Sequence, residues 1–240
     1  MTRAGLPAGR HTESQSSNKM EKSPVSQIFL LSPAYCAGRR AAILLRPGSA
    51  LPIAVRLAEG ALTLGEAFAF LSGLYFRGKL TYATVFGRSH DEARPSTFVI
   101  TPTRGLLPPD TPVTPDVLRE FASVDVNADD RRYRRPLVRD LKSLASTLPD
   151  DVRVVLLGSI ATSKYVDLLV SALGARLHYP PTFAGRGDMS RGGLLLRCAA
   201  AGTELDYAVL SNAAVRHGPR PPKLVGPPAK FTGPGRLPVP

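Results

Sequence analysis

Short aliphatic runs alternate with segments of helical periodicity through the middle of this 240-residue chain. The clearest run, Val152 to Leu157, is interrupted only by Arg153, and a helix-like segment follows at Ser163 to Leu173. Runs at Gln27 to Leu31 and Thr97 to Thr101 are soon followed by prolines, as buried strands often are. This alternation predicts an α/β fold, a single layered domain with a mainly parallel sheet flanked by helices.

Apolar spacing predicts where the longer helices lie. From Leu64 to Phe86 the apolar residues recur on one face, which predicts one long amphipathic helix. Thr63 with Glu66 has the pattern of a capping box at its start. A second helix is predicted around Leu137 to Leu148, and Ser190 to Ala200 is a candidate for the last one.

The composition changes at both ends of the chain. Residues 1–26 are polar without apolar periodicity, and residues 212–240 contain eight prolines, five basic residues and no acid. Such segments favour extended, solvated chain over a packed core. The sequence therefore predicts a disordered N-terminal tail at 1–26, the α/β domain at 27–211 and a Pro-rich disordered tail at 212–240.

The overall composition excludes several classes of protein. Hydrophobic residues make up 43% of the chain, but the apolar runs are far shorter than the roughly 18 residues of a membrane span. Two cysteines, Cys36 and Cys198, are too few for a disulfide framework, and the first nine residues lack the apolar stretch of a secretory signal. We therefore expect a cytoplasmic protein without membrane segments. The four histidines are scattered, so no metal site is predicted, and no cofactor is identified.

The formal net charge is +12, which favours a polyanionic partner such as a nucleotide or a nucleic acid. More than half of this excess positive charge lies in the two terminal segments, and residues 27–211 carry a net charge of +5. Arg131 to Arg135 forms a basic run around Tyr133 that suits phosphate contact and stacking. The alternative is a solvated entry to a helix.

Three segments leave the carboxyl ends of predicted strands, at Ser32 to Arg40, Thr101 to Asp110 and Gly158 to Lys164, and a glycine-rich segment lies at Gly185 to Gly193. Ligands of open parallel sheets bind at the carboxyl ends of the strands, and we expect Gly105 to Asp110, Gly158 to Lys164 and Gly185 to Gly193 to converge on one polar cleft. Gly158 to Lys164 suits an anion at a helix start but lacks the second glycine of a Walker A loop. An ordinary turn is the alternative for each segment.

These segments supply the candidate site residues. Arginine and lysine would bind an anionic group, and a carboxylate would act as acid or base. The catalytic candidates are Asp188 and Asp110, and the ligand-binding candidates are Arg104, Ser159, Lys164, Arg186 and Arg191. No nucleophile elbow is present, so the sequence leaves open whether the protein is an enzyme.

Several segments together resemble a poorly characterised bacterial α/β domain family: Ser72 to Arg77, Phe98 to Thr101, Gly105 to Asp110, and Val154 to Gly158 with Tyr165. That family is distantly similar to the bacterial peroxide-stress protein family and to a domain of archaeosine synthase, which acts on tRNA. The resemblance covers about residues 27–173. It implies an α/β fold and an association with nucleotides or nucleic acids, but it implies no reaction.

These features lead to two functional hypotheses. The first is a cytoplasmic nucleotide- or nucleic-acid-associated protein that acts on a nucleoside or a base, for example by attack on a glycosidic bond. The alternative is a non-enzymatic partner-binding or structural protein that uses its basic Pro-rich tail as a ligand.

Overall fold

A computed structural model describes residues 26–161 and 163–211, together with the isolated residues Met1 and Pro222. These residues form an α/β fold, as the sequence predicts. The strands of the described chain are β1 (Gln27–Leu31), β2 (Leu62–Thr63), β3 (Thr97–Ile100), β4 (Leu106–Leu107), β5 (Pro112–Val113), β6 (Arg153–Leu157), β7 (Leu177–Tyr179) and β8 (Ala208–Val209). Its α-helices are α1 (Arg39–Leu44), α2 (Pro52–Ala58), α3 (Leu64–Ser72), α4 (Leu74–Phe86), α5 (Pro115–Ala122), α6 (Arg131–Thr147), α7 (Ser163–Leu173) and α8 (Asp188–Ala201).

The main sheet has six strands in the order β4-β3-β1-β6-β7-β8, and β2 pairs with β5 in a separate two-stranded ribbon. The four central strands, β3, β1, β6 and β7, are parallel, while the edge strands β4 and β8 are antiparallel to their neighbours. The predicted mainly parallel sheet is therefore confirmed. Both predicted tails lie almost entirely outside the described residues.

The strand β1 is buried along its whole length because helices cover both faces of the sheet. Phe29 and Leu31 belong to one apolar cluster, which includes side chains of α3, α4, α5 and α8. Ile28 and Leu30 point to the other face and belong to a cluster with α6 and α7. This alternation follows from the two-residue period of a strand, which makes a fully buried strand read as a continuous apolar run.

The chain leaves β1 and β6 toward opposite faces. After β1 it runs to α1 and the helices of the first apolar cluster, whereas after β6 it runs to α7 in the second cluster. The two strands are adjacent and parallel, so a crevice opens between the segments that leave their carboxyl ends. Such a topological switch point is where open α/β sheets bind ligands.

The long helix predicted from Leu64 to Phe86 is wrong, because Gly73 divides it into α3 and α4. Gly73 has a φ of 65°, which glycine adopts at little cost. A Cβ at this position would lie 2.5 Å from Nη1 of Arg40, which donates a hydrogen bond to the carbonyl of Phe70. The capping box at the start of α3 is confirmed: the Thr63 hydroxyl accepts from the Glu66 amide, and the Glu66 carboxylate accepts from the Thr63 amide.

The glycine-rich segment 185–193 is not wholly a loop, because α8 begins at Asp188. Its glycines allow α8 to pack closely against α4. A Cβ on Gly192 would lie 2.7 Å from the carbonyl oxygen of Leu74, and one on Gly78 would lie 2.7 Å from the carbonyl oxygen of Gly192. The two helix backbones therefore touch where other residues would hold them apart.

This close approach predicts a specific sensitivity to small substitutions. Gly192→Ala places a methyl group against the backbone of α4, and such overpacking costs about 1–3 kcal/mol of the free energy of unfolding. Gly187→Ser is the control, because a Cβ there meets nothing within 4 Å and serine is a favoured N-cap residue. Urea denaturation of both variants measures the difference; equal midpoints would contradict the proposed helix contact.

Candidate functional site

A cleft of about 960 Å³ lies at the carboxyl ends of β1 and β6. Its walls come from the β1–α1 segment, the junction of α3 with α4, the segment between α5 and α6, the β6–α7 turn and the first residue of α8. This volume is within the range of small-molecule and cofactor sites. The cleft therefore occupies the switch point that the strand order creates.

Gly158 lets the two strand ends meet at the base of the cleft. A Cβ at Gly158 would lie 2.8 Å from Cβ of Ser32 and 2.9 Å from Oη of Tyr165. Tyr165 donates a hydrogen bond to the carbonyl of Ser159 at 2.7 Å, which fixes the β6–α7 turn. Burial raises the pKa of Tyr165 to about 12, so its hydroxyl stays protonated at neutral pH.

Lys79 lies beneath this base and is only 1% exposed. Its Nζ donates to the carbonyl and the hydroxyl oxygen of Ser32, at 2.6 and 2.8 Å. The rings of Tyr75 and Phe76 lie 4.6 and 4.8 Å from the same atom. Burial without an ion pair among the described residues lowers the pKa of Lys79 to about 7, although Asp188 opposes this shift. The amine therefore changes its charge readily near neutral pH.

Tyr75 lies in the cleft floor. It is 5% exposed, and its buried hydroxyl has no hydrogen-bond partner among the described residues. A buried hydroxyl without a partner costs free energy. Tyr75 lines the cleft with other atoms of its side chain, because the hydroxyl oxygen itself is shielded from solvent.

Arg191 and Asp188 join α8 to this floor. The buried Arg191 guanidinium donates from Nε and Nη2 to the carbonyl of Phe183, at 3.2 Å each. Its Nη1 lies 3.3 Å from Oδ1 of Asp188, whose side chain is 68% exposed. Arg191 therefore holds the segment before α8 in place, while the Asp188 carboxylate remains open to the cleft.

The rim of the cleft carries cations and an exposed aromatic ring. Arg39 and Lys164 are exposed and make no ion pair with a described residue. Tyr35 is 69% exposed, which is unusual for so large an apolar surface. Asp125 and Asn127 lie on the side of the cleft that leads into α6. The rim thus combines a stacking surface with donors for an anion.

The structure brings together part of the site that the sequence predicts. Ser159, Lys164 and Asp188 line the cleft, and Arg191 lies directly behind Asp188. Arg186 is not among the lining residues; it donates to the carbonyl of Thr182 and to the hydroxyl of Ser190. Arg186 therefore stabilises the segment that precedes α8.

The segment 101–110 does not join the cleft, so the predicted convergence of three loops is incomplete. Arg104 follows β3, but its guanidinium pairs with the carboxylate of Glu120. Asp110 lies beyond the antiparallel β4, in a turn whose Pro109 carbonyl accepts a hydrogen bond from the Gly65 amide at the start of α3. Asp110 lies away from the cleft because the chain reverses direction at β4, which is antiparallel to β3. The prediction of a common cleft considered parallel strands alone.

Sequence reasoning missed Lys79 and Tyr75, although one signal pointed to Lys79. Lysine lies within the apolar face of α4 between Phe76 and Tyr82, and a charged side chain at such a position is buried only where partners exist. Tyr75 has no comparable signal, because a tyrosine on an apolar face is ordinary core.

Comparisons with protein-family models, with curated proteins and with solved structures find no match to this chain. The described residues contain no helix long and apolar enough to cross a membrane. In the same part of the chain, no group of three or more histidine, cysteine, aspartate or glutamate residues is placed to hold a metal ion.

The buried amine predicts a pH-dependent stability. Between about pH 7 and the ordinary lysine pKa of 10.5, the unfolded chain holds a proton that the folded protein has lost. The free energy of unfolding therefore gains a positive slope, of up to about 1.4 kcal/mol per pH unit. We expect Lys79→Met to remove this contribution. Denaturation between about pH 7.5 and 9.5 measures it, and equal slopes for the two proteins would contradict the assignment.

Proposed function

We propose that the cleft binds a nucleotide, either free or as one unit of a nucleic acid, and acts on its nucleoside part. The observation that carries the proposal is the rim: the exposed cations Arg39 and Lys164, which make no ion pair with a described residue, line the same cleft as the exposed ring of Tyr35. Cations suit a phosphate, and an exposed aromatic ring suits stacking of a base. The family resemblance supports the same class of ligand.

The polar floor suits the nucleoside itself. The side chains of Ser32 and Ser159 line the cleft and offer hydroxyl groups for hydrogen bonds to sugar or base oxygens. A few polar groups placed in a cleft give a ligand its orientation and specificity. The phosphate would then remain at the rim, where its charge stays solvated.

Asp188 is the candidate general base of the proposed reaction. Its carboxylate faces the cleft, and Arg191 at 3.3 Å orients it. In the proposed step the carboxylate takes a proton from a water molecule whose oxygen attacks the anomeric carbon of the sugar. The glycosidic C–N bond breaks, and the base leaves with the bonding electrons and takes a proton from solvent, to which the Asp188 carboxyl then releases the proton that it accepted.

Nucleotide binding tests the first part of the proposal. Lys164→Ala removes an unpaired rim cation, and loss of a charge-assisted hydrogen bond weakens binding by roughly tenfold or more. Arg46→Ala is the matched control, because Arg46 is exposed but lies outside the cleft. Calorimetric titration with a purine and a pyrimidine nucleoside monophosphate measures both variants. Equal affinities, or no binding by the unaltered protein, would refute the proposal.

Turnover tests the second part. Asp188→Asn removes the proposed base and should lower the release of free base from a nucleotide by about 10²–10⁴-fold, with binding largely retained. Asp110→Asn makes the same chemical change outside the cleft and should leave the rate unaltered. The hypothesis fails if both variants keep full activity, or if Asp110→Asn alone loses it.

A further inference from the structure

The exposed face of α6 is strongly basic. Six basic side chains and two carboxylates lie between Asp130 and Lys142. Four of the basic side chains are exposed and make no ion pair with a described residue: Arg131, Arg134, Arg135 and Lys142. Arg131, Arg135 and Lys142 share one face of the helix, away from the buried Tyr133 and Leu137. Arg134 lies beside this face, at the border with the buried side that Leu141 continues. Because Tyr133 is fully buried, this run offers charge and no stacking ring.

This face continues directly from the cleft. Asn127 lies in the cleft wall, and its carbonyl accepts a hydrogen bond from the amide of Asp130, which caps α6. Arg131 is therefore one turn of chain from the rim. With a rise of about 1.5 Å per residue, the basic face extends about 16 Å from Arg131 to Lys142. A ligand that fills the cleft and follows this face has to be longer than one nucleotide.

We propose that the basic face of α6 is a backbone-binding track and that the natural ligand is a nucleic-acid strand with one nucleotide in the cleft. This inference rests on the proposed function and deepens it by naming the polymer. Phosphates along one strand would pair with Arg131, Arg134 and Arg135 while a base from the same strand enters the cleft. Backbone contacts of this kind provide affinity without sequence preference.

An anionic membrane surface is the other polyanion to consider, and the contacts of α6 argue against it. Surface-binding helices insert an apolar face into the lipid boundary. The apolar face of α6 is instead packed against the sheet, and none of the exposed large apolar side chains of the described chain lies on α6. The adjacent cleft with its exposed Tyr35 suits a base and not a lipid headgroup.

The test compares a single-stranded oligonucleotide of about 15 units with a nucleoside monophosphate on the full-length protein. The oligonucleotide should bind more tightly than the monophosphate. In the double variant Arg134→Ala with Arg135→Ala, the negative slope of log K for oligonucleotide binding against log salt concentration should become shallower by about 1.4. That change corresponds to about 25-fold weaker binding at 0.1 M salt. Affinity for the monophosphate should be unchanged.

Arg46→Ala with Arg77→Ala is the matched control, because both arginines are exposed, make no ion pair with a described residue and do not line the cleft. Thermal melting verifies that both double variants are folded. The inference is overturned if the oligonucleotide gains nothing over the monophosphate, if the two double variants weaken binding equally, or if phosphatidylserine vesicles bind and the oligonucleotide does not. Monophosphate binding that depends on Lys164 would still support the proposed function in each of these cases, whereas its absence would refute that function as well.

Discussion

The contact between the backbones of α4 and α8 determines much of the geometry around the cleft. Gly78 and Gly192 remove the side chains that would separate the two helices. Because the helices touch, Tyr75 and Lys79 from one of them come close to Asp188 and Arg191 from the other, which are more than a hundred residues away in the chain. The polar floor of the cleft is thus a product of helix packing as much as of strand order.

The buried amine is the other unusual element of this arrangement. A lysine that is removed from water, with Ser32 as its hydrogen-bond partner among the described residues, loses much of the hydration free energy of its charge. Cation–π interactions with the rings of Tyr75 and Phe76 offset part of that loss of free energy. The β1–α1 segment is consequently tied to α4 through Ser32, so the cleft wall and the helix layer are linked at one point.

Sequence patterns were sufficient for the architecture because buried parallel strands read as aliphatic runs. The run at Val152 to Leu157 and the capping box of Thr63 with Glu66 both correspond to local structure that short-range interactions determine. The break at Gly73 was missed, since an apolar face can continue through a single residue of left-handed conformation.

Only part of the candidate site followed from the sequence. Ser159, Lys164 and Asp188, which the sequence proposes from a strand end and a glycine-rich helix start, line the cleft and remain predicted site residues. Arg104 and Asp110 were misplaced because β4 reverses the chain after β3, and Lys79 was missed because its partners come from a distant segment. These errors arise because long-range packing decides where the residues lie, and the spacing of residues along the chain does not show that packing.

The edges of the main sheet have a consequence of their own. Each edge strand, β4 and β8, is two residues long and runs against its neighbour. Strands of this length expose few unpaired backbone amides and carbonyls, so they give another chain little to pair with. The short edges therefore disfavour extension of the main sheet by strand addition from a second copy.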